Sequence, residues 1–566
     1  MNSRARLAEV AQGRQPADLV LTNGRVFNVV TGELLDADLA VYGDTIAGVG
    51  TYHGLQTLDV RGRVLLPGFI DAYASLEASM LSLQEYARVV SAHGTTAAVF
   101  DFRGIAAVTG LRGLSALADE SRGAPIHMCM ALPLWAGDEW DTMPGRFSRI
   151  DPTMLSLPNL VGVAGWLTGN ALLATAGNIL DIGAAVGPLP ALMSSPGADT
   201  GQVAALAALG VTADRRWLSP EEALDKLRHG LWLLAEESSV ASYTTDLRWL
   251  SRTTRLERCC LVSGPRTADD LVEEGHLDEA LRRAVRAGID VGEAIRMVTQ
   301  RPATLFGLSR AGALQPGYQA DVVVVEDLRD FRANLVLKAG RPVARQGAPL
   351  SRPARLEIKY GRGSVQVAPL TPDSFVVHGH RGRCRVVALD QAGQTTLDEE
   401  DRPHAATELG ADTGRDLCKI AVVERHSATG AVGVGLVRGF GLRAGALCCS
   451  FAGAGQNLIV VGVDDVSMRA AVERVTTGGG GIAVACGEEV RAALNLPVAG
   501  LLSPLSANEV VAAVKEVERA AWELGCLFRH PFLTLADLAN TELGGFRLTE
   551  RGLVDVDGRR LVPIQD

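Results

Sequence analysis

The sequence has no Cys-x-x-Cys pair and no apolar run long enough to cross a membrane. Its nine cysteines are scattered, apart from two adjacent pairs, and this spacing supports neither a zinc ribbon nor a disulfide framework. Residues 1–16 are polar and lack the apolar segment of a secretion signal. We therefore expect a cytoplasmic protein with reduced thiols and no contact with a membrane.

The chain also has fewer basic than acidic residues. The chain has 55 Lys and Arg residues against 65 Asp and Glu residues, a net charge of -10, and no basic stripe. General nucleic-acid binding requires clustered cations that neutralise phosphates, so the composition argues against that function. With 566 residues, of which 47% are hydrophobic, the chain can bury several cores.

What the sequence does contain is a long middle region that alternates between two patterns. From residue 66 to 308, apolar strand candidates such as Thr95 to Phe100 and Leu160 to Ala164 alternate with helical stretches, as in a β/α barrel. The clearest helix start has Ser219 at the N-cap and Pro220 in the first turn. Near the N-terminus, Asn23-Gly24 predicts a hairpin turn between two strands.

Several separate motifs occur in the order that one known family has them. The first follows the apolar run from Val64 to Ile70 and extends to Met80. The others lie at residues 93–101, 273–278, 301–308, 421–426, 439–442, 496–501 and 531–535. On these motifs the chain resembles the adenine deaminase family of the metal-dependent amidohydrolase superfamily.

The resemblance implies an α/β fold with three parts. We expect a TIM-like (β/α)8 amidohydrolase barrel at residues 66–308, bracketed by a small composite β-domain from residues 1–65 and 309–355. A linker at residues 356–372, rich in Pro, Arg and Gly, precedes a C-terminal α/β domain at residues 373–566. The family's large composite fold commonly self-associates, so we also expect a homo-oligomer.

The resemblance further implies a catalytic metal, but other residue types occupy the ligand positions. The family's first barrel strand carries His-x-His, and here Tyr73 and Ser75 stand at those positions. The remaining ligand positions fall on Arg103, Gly165, Ser194, Arg215, Gly264-Pro265 and, in the last domain, Gly453-Ala454-Gly455-Gln456-Asn457. A hydrolytic deaminase needs a caged metal to make hydroxide at neutral pH. We therefore expect no Zn, Fe or Mn at the barrel mouth, and no other cofactor.

Two arginines and three hydroxyls are expected to replace the metal. Arg103 and Arg215 would point into the vacated space, ringed by Tyr73, Ser75 and Ser194, because the carboxyl ends of barrel strands face the active-site mouth. Guanidinium groups bind planar oxyanions through paired donors. The expected small-molecule ligand is an anion or a neutral molecule that develops an oxyanion.

Four further residues complete the candidate site. Arg266 would add a third positive charge, and Glu77, Asp101 and Glu236 are the nearby acids. Glu77 is the best candidate for a general base, although an Arg-flanked carboxylate has a lowered pKa. An equally supported alternative is that Arg103 and Arg215 only fill the metal volume, with ion pairs to Glu77 or Asp101, or turn to solvent.

Three functions follow from these observations. The first is an enzyme with metal-free chemistry on a small polar or anionic molecule, in which Glu77, Tyr73, Arg103 and Arg215 are catalytic. The second is a non-catalytic protein that binds a purine-like ligand or an active partner. The third is a genuine adenine deaminase, which converts adenine and water to hypoxanthine and ammonia. The residues favour the first, and they do not identify the substrate.

Overall fold

The computed structural model describes residues 3–135, 154–165, 189–352, 360–378, 382–390, 395–402 and 408–565. The N-terminal part begins with helix α1 (Ser3–Ala11) and continues as short strands: β1 (Ala17–Thr22), β2 (Arg25–Phe27), β3 (Leu34–Asp36), β4 (Asp38–Tyr42), β5 (Thr45–Gly50), β6 (Gly54–Asp59) and β7 (Val64–Pro67). Strand β1 pairs with β4 and β6, whereas β2 pairs with β3 and β7.

The hairpin predicted across Asn23-Gly24 is wrong, because the strands on its two sides belong to different sheets. The Asn23 side chain instead donates a hydrogen bond to Asp59 Oδ1 at 3.1 Å. Asn23 adopts the left-handed conformation that the turn pattern requires, with φ of 58°. Asn23 therefore forms a bend, which directs the chain out of one sheet and into the next.

The central sheet is a nearly closed parallel barrel. Its strands are β8 (Phe69–Ser75), β9 (Thr95–Phe100), β10 (His127–Pro133), β11 (Leu160–Ala164), β12 (Ala191–Met193), β13 (Val211–Asp214), β14 (Trp232–Glu236), β15 (Cys259–Val262) and β16 (Gly264–Pro265). They pair in chain order, and β16, directly after β15, pairs back with β8. The predicted amidohydrolase-type barrel is confirmed.

Helices follow or connect the barrel strands. They are α2 (Leu83–Ala92), α3 (Arg103–Glu120), α4 (Thr200–Ala208), α5 (Pro220–Arg228), α6 (Thr244–Thr253), α7 (Ala268–Glu273), α8 (Leu277–Arg286), α9 (Val291–Met297) and α10 (Gln300–Leu305). The predicted start of α5 is confirmed, since the backbone N–H of Glu222 donates to Ser219 Oγ at 3.2 Å.

After the barrel the chain returns to the N-terminal strands. It forms β17 (Val322–Val325), β18 (Ala333–Lys338), β19 (Arg341–Arg345) and β20 (Ala348–Pro349). Strand β17 pairs antiparallel with β7, so segments from both sides of the barrel region share one sheet. The proposed linker at residues 356–372 lies partly outside the described residues.

The last part is a second α/β unit. Its strands are β21 (Val377–His378), β22 (Gly382–Leu389), β23 (Thr395–Arg402), β24 (Glu408–Leu409), β25 (Leu417–Val423), β26 (Val432–Arg438), β27 (Ala446–Ala452), β28 (Asn457–Gly462), β29 (Gly481–Cys486), β30 (Glu489–Asn495), β31 (Phe546–Thr549), β32 (Gly552–Asp555) and β33 (Arg560–Val562). Its helices are α11 (Asp465–Thr477), α12 (Ala507–Glu523) and α13 (Pro531–Asp537). Eight of these strands form one largely antiparallel sheet.

The C-terminal unit packs directly on the barrel. Phe100 of the barrel and Leu501 of the C-terminal unit belong to one continuous apolar core. At the same contact, the backbone N–H of Ala507 donates to Glu85 Oε2 at 3.0 Å. In the described segments, no helix combines the length and apolar character needed to span a bilayer. The barrel mouth thus faces protein supplied by the last part of the chain.

Candidate functional site

A buried carboxylate, Asp101, lies at the centre of the barrel mouth. It follows β9 directly and is 4% exposed. Its Oδ2 accepts a hydrogen bond from the Tyr73 hydroxyl at 3.1 Å, lies 3.8 Å from Arg103 Nε and lies 4.0 Å from Arg215 Nη1. Two guanidinium groups therefore share one carboxylate, as expected where the carboxyl ends of the barrel strands converge on one mouth.

Arg215 also packs on an aromatic ring. Its guanidinium carbon lies 3.8 Å from the centre of the Tyr73 ring, within the range of a strong cation–π contact. Burial raises the pKa of Tyr73 well above its ordinary value, although the charge of Arg215 opposes the rise. Tyr73 therefore stays protonated at neutral pH and acts as a hydrogen-bond donor to Asp101.

The second contact of Arg103 comes from the C-terminal unit. Arg103 Nη1 is hydrogen-bonded to Glu542 Oε1, and Nη2 donates to the carbonyl oxygen of Ala164 at 3.4 Å. Burial raises the pKa of Glu542, with the charge of Arg103 opposing it. Sequence reasoning missed Glu542. It lies a few residues beyond the family motif at 531–535, which was the only available signal.

Glu77 lies beside the first turn of α3, the helix that begins at Arg103. Its Oε1 accepts a hydrogen bond from the backbone N–H of Ile105 at 3.1 Å. Burial, reinforced by the charge of Asp101, raises the pKa of Glu77 to about 7. The lowered pKa expected for an Arg-flanked carboxylate is therefore wrong, because burial and the charge of Asp101 outweigh the backbone hydrogen bonds that lower the pKa of Glu77.

Glu236 belongs to a neighbouring ion pair. It ends β14 and its Oε2 lies 3.3 Å from Arg216 Nη2, while its Oε1 accepts from the Ser238 hydroxyl at 2.6 Å. The partner is thus the residue after Arg215, which sequence reasoning did not select. The structure places Glu236 at the carboxyl end of β14, where its ion pair is with Arg216.

The remaining candidates lie at the edge of the cluster or away from it. Ser194 is fully buried, and its hydroxyl has no hydrogen-bond partner among the described residues. Ser75 is half-buried and pairs through its backbone with Pro265. Arg266 does not add a third charge to the mouth, because its guanidinium contacts Glu274 Oε2 at 3.0 Å and the Glu237 carbonyl oxygen at 3.3 Å.

Comparison with known proteins identifies two family models in the chain. One describes the adenine deaminase C-terminal domain and matches residues 394–560, and the other describes the amidohydrolase family and matches residues 215–343. Adenine deaminase 2 of Carboxydothermus hydrogenoformans is 34% identical over 99% of both chains. The adenine deaminase of Archaeoglobus fulgidus is 34% identical over 99% of this chain and 98% of its own.

Solved structures of amidohydrolases cover a smaller share of the chain. A crystal structure titled as an adenine deaminase is similar over 58% of this chain and 100% of its own, with 15% identity and a TM-score of 0.43. A crystal structure of phenylurea hydrolase B is similar over 59% of this chain and 98% of its own, with 14% identity and a TM-score of 0.46.

Proposed function

Because the chain belongs to the adenine deaminase family, we propose that its barrel mouth binds a small polar molecule of the nucleobase type and acts on it without a metal ion. The observation that carries this proposal is that Arg103 and Arg215 share the buried carboxylate of Asp101 at 3.8 and 4.0 Å. Two permanent cations thus occupy the mouth, close to the hydroxyl of Tyr73.

The residues at this mouth do not fit a divalent cation. Zinc, iron and manganese take imidazole or carboxylate ligands, and the described residues around Asp101 supply two guanidinium groups and a phenol. At an effective dielectric constant of 20, a divalent ion 4 Å from one guanidinium is repelled by roughly 8 kcal/mol. Asp101 and Glu542 are already paired with these guanidinium groups, so they offer little further negative charge to offset this repulsion.

Charge balance favours a neutral molecule that develops negative charge. Among the described residues, Arg103 is paired with the carboxylates of Asp101 and Glu542, and Arg215 with that of Asp101, so two carboxylates balance two guanidinium groups. The contact with Glu542 shows which type of group Arg103 binds: an oxygen that carries partial or full negative charge and accepts its hydrogen bond. Guanidinium groups held in this way stabilise an oxyanion as it forms.

A proton carrier is available next to the arginines. Glu77, with a pKa raised to about 7 by burial, exchanges a proton near neutral pH. Tyr73 remains protonated and orients Asp101 through its hydroxyl. In this proposal Arg103 and Arg215 hold the polar edge of the substrate, and Glu77 accepts or returns the proton.

Adenine deaminase activity is the second candidate function. The observation that favours it is full-length similarity, at 34% identity, to relatives named adenine deaminase. The comparisons favour this candidate more directly than metal-free chemistry, because they carry the name of the reaction. The arrangement of Arg103, Asp101 and Arg215 favours the first candidate, so an experiment must decide between them.

The deciding experiment is the conversion of adenine to hypoxanthine, followed by absorbance. We expect no conversion by protein supplied with Mn, Fe or Zn, and no change after treatment with a chelator. Conversion that the chelator abolishes would establish the deaminase and overturn the proposed role of the barrel mouth.

Binding at the mouth is tested separately by thermal shift. The probes are adenine, hypoxanthine and orotate, a nucleobase that carries a carboxylate. We expect at least one probe to stabilise the wild type and to bind at least tenfold more weakly to Arg103→Gln and Arg215→Gln, because each loses a charge-assisted hydrogen bond of about 1.5–3 kcal/mol. The matched control is Arg122→Gln, since Arg122 forms an exposed pair with Asp119. Equal binding by all variants would contradict the proposal.

A further inference from the structure

A second buried polar cluster lies where the barrel packs on the C-terminal unit. It contains Asp269 of α7, Glu518 of α12 and His530, the residue that precedes α13. One oxygen of each carboxylate and one ring nitrogen lie within 4.8 Å of one another. These three side chains come from two parts of the fold and take no part in the mouth described above.

Two atoms of this cluster have no hydrogen-bond partner among the described residues. They are His530 Nε2 and Asp269 Oδ1, on side chains of residues that are 7% and 9% exposed. The carboxylate of Asp270 lies 3.9 Å from His530 Nε2, beyond hydrogen-bonding distance. A buried polar atom left without a partner costs about 1–3 kcal/mol, so a bound ligand at this point removes a penalty.

The cluster also has an excess of negative charge. Three carboxylates converge here, those of Asp269, Asp270 and Glu518. The two cations nearby have mostly exposed side chains: Arg529, 65% exposed, pairs with Asp270, and Lys515, 50% exposed, pairs with Glu273 outside the cluster. Solvent screens the two exposed cations, so they offset the buried carboxylates only in part.

We propose that Asp269, Glu518 and His530 bind a divalent transition metal ion of the zinc class. One imidazole nitrogen and two carboxylate oxygens suit zinc, whereas magnesium and calcium prefer oxygen ligands throughout. Donor atoms around one zinc ion lie roughly 3–4 Å apart. The three donors here lie within 4.8 Å of one another, and His530 Nδ1 lies 3.3 Å from Glu518 Oε1, a contact that the ion would replace. An adjoining cavity, lined in part by Glu518, His530 and Ser79, leaves room for a water molecule as the fourth ligand.

Such an ion ties together the two parts of the molecule that form the mouth. Asp269 belongs to a barrel helix, whereas Glu518 and His530 belong to the C-terminal unit. Helix α13 begins directly after His530, and Glu542, the partner of Arg103, follows it. The metal thereby has a structural role: it holds in place the segment that carries Glu542.

Zinc retention by the full-length protein tests this site. Chelator-treated protein is incubated with zinc, desalted and analysed for metal. We expect about one zinc ion per chain in the wild type and at least tenfold weaker binding in Glu518→Gln and His530→Asn. The matched control is His229→Asn, because His229 directly follows α5 in the barrel and its Nδ1 lies 3.7 Å from Asp225 Oδ1 on that helix. This variant should retain the wild-type zinc content.

Two outcomes would overturn the inference. One is wild-type protein that retains no zinc, and the other is a Glu518→Gln, His530→Asn double variant that retains as much as the wild type. Cobalt substitution of the wild type supplies a readout that needs no variant, because we expect visible absorption bands typical of a four-coordinate site. Adenine conversion that a chelator abolishes would overturn the proposed function instead, whether or not the double variant loses its zinc, so the two failures are distinguishable.

Discussion

The barrel mouth and the cluster at the domain contact are both buried beneath the C-terminal unit, but their charges have opposite character. At the mouth, Arg103 and Arg215 bring positive charge to Asp101. At the domain contact, the carboxylate of Glu518 and the imidazole of His530 lie beside further carboxylates, and the nearby cation Arg529 is largely exposed to solvent. A site can thus be buried where the fold family predicts one and still bind a different kind of ligand. The charges of the neighbouring side chains decide which ligand fits.

The largest expected effect comes from removing the carboxylate that balances the mouth. Asp101→Asn leaves Arg103 and Arg215 buried without their shared counter-ion, and we expect a loss of about 3–5 kcal/mol in the free energy of unfolding. Urea denaturation measures this loss. Asp119→Asn, at an exposed pair with Arg122, should change stability by less than about 0.5 kcal/mol. Equal effects of the two substitutions would show that Asp101 does not neutralise the arginines.

The second prediction concerns the effect of zinc on stability. Zinc at 100 times its dissociation constant should stabilise the folded protein by about 2.7 kcal/mol, since it binds only the folded state. The Glu518→Gln variant should show no such gain, whereas Arg103→Gln should keep it, because Arg103 lies in the other cluster. If zinc instead stabilised Glu518→Gln but not Arg103→Gln, the zinc site would lie at the barrel mouth and not at the domain contact.

The third prediction is a pH dependence specific to the mouth. Burial raises the pKa of Glu77 from 4.5 to about 7, so the folded state keeps its proton while the unfolded state loses it. Stability from this group is complete below pH 4.5, falls by up to about 1.4 kcal/mol per pH unit between about 4.5 and 7, and is constant above. Glu77→Gln should lack this slope in urea denaturation across that range. An unchanged slope would assign the pH dependence to other groups.

The smallest expected effect is at the exposed edge of the domain contact. Arg529 Nη2 lies 2.8 Å from Asp270 Oδ1, but its side chain is 65% exposed. Arg529→Gln should therefore cost less than about 1 kcal/mol of stability. It should also strengthen zinc binding by a few-fold, since it removes a nearby positive charge. Weaker zinc binding in this variant would show that Arg529 supports the site instead of opposing it.

Much of the fold followed from local sequence patterns. The barrel strands and helix α5 could be predicted because each depends on residues close in sequence, such as Ser219 and Pro220. The hairpin at Asn23-Gly24 could not, because the turn signal fixes a local conformation without selecting the sheet that the next strand joins.

The candidate site was predictable only where strand ends converge. Asp101, Arg103 and Arg215 follow barrel strands directly, so the topology brings them together. Glu542 reaches Arg103 from 439 residues away, and no local pattern encodes that contact. Arg266 was misplaced because its position after β16 does not reveal the acid, Glu274, that draws its guanidinium aside.

The pairing of β7 with β17 has a consequence for synthesis of the protein. Val64–Pro67 must wait for Val322–Val325, its antiparallel partner, until the entire barrel segment has left the ribosome. At roughly 5–20 residues per second, this delay is on the order of tens of seconds. During that time the nascent N-terminal strands expose apolar residues such as Leu65 and Leu66, which are fully buried in the finished protein. We therefore expect a holdase chaperone to bind the nascent chain mainly during this interval.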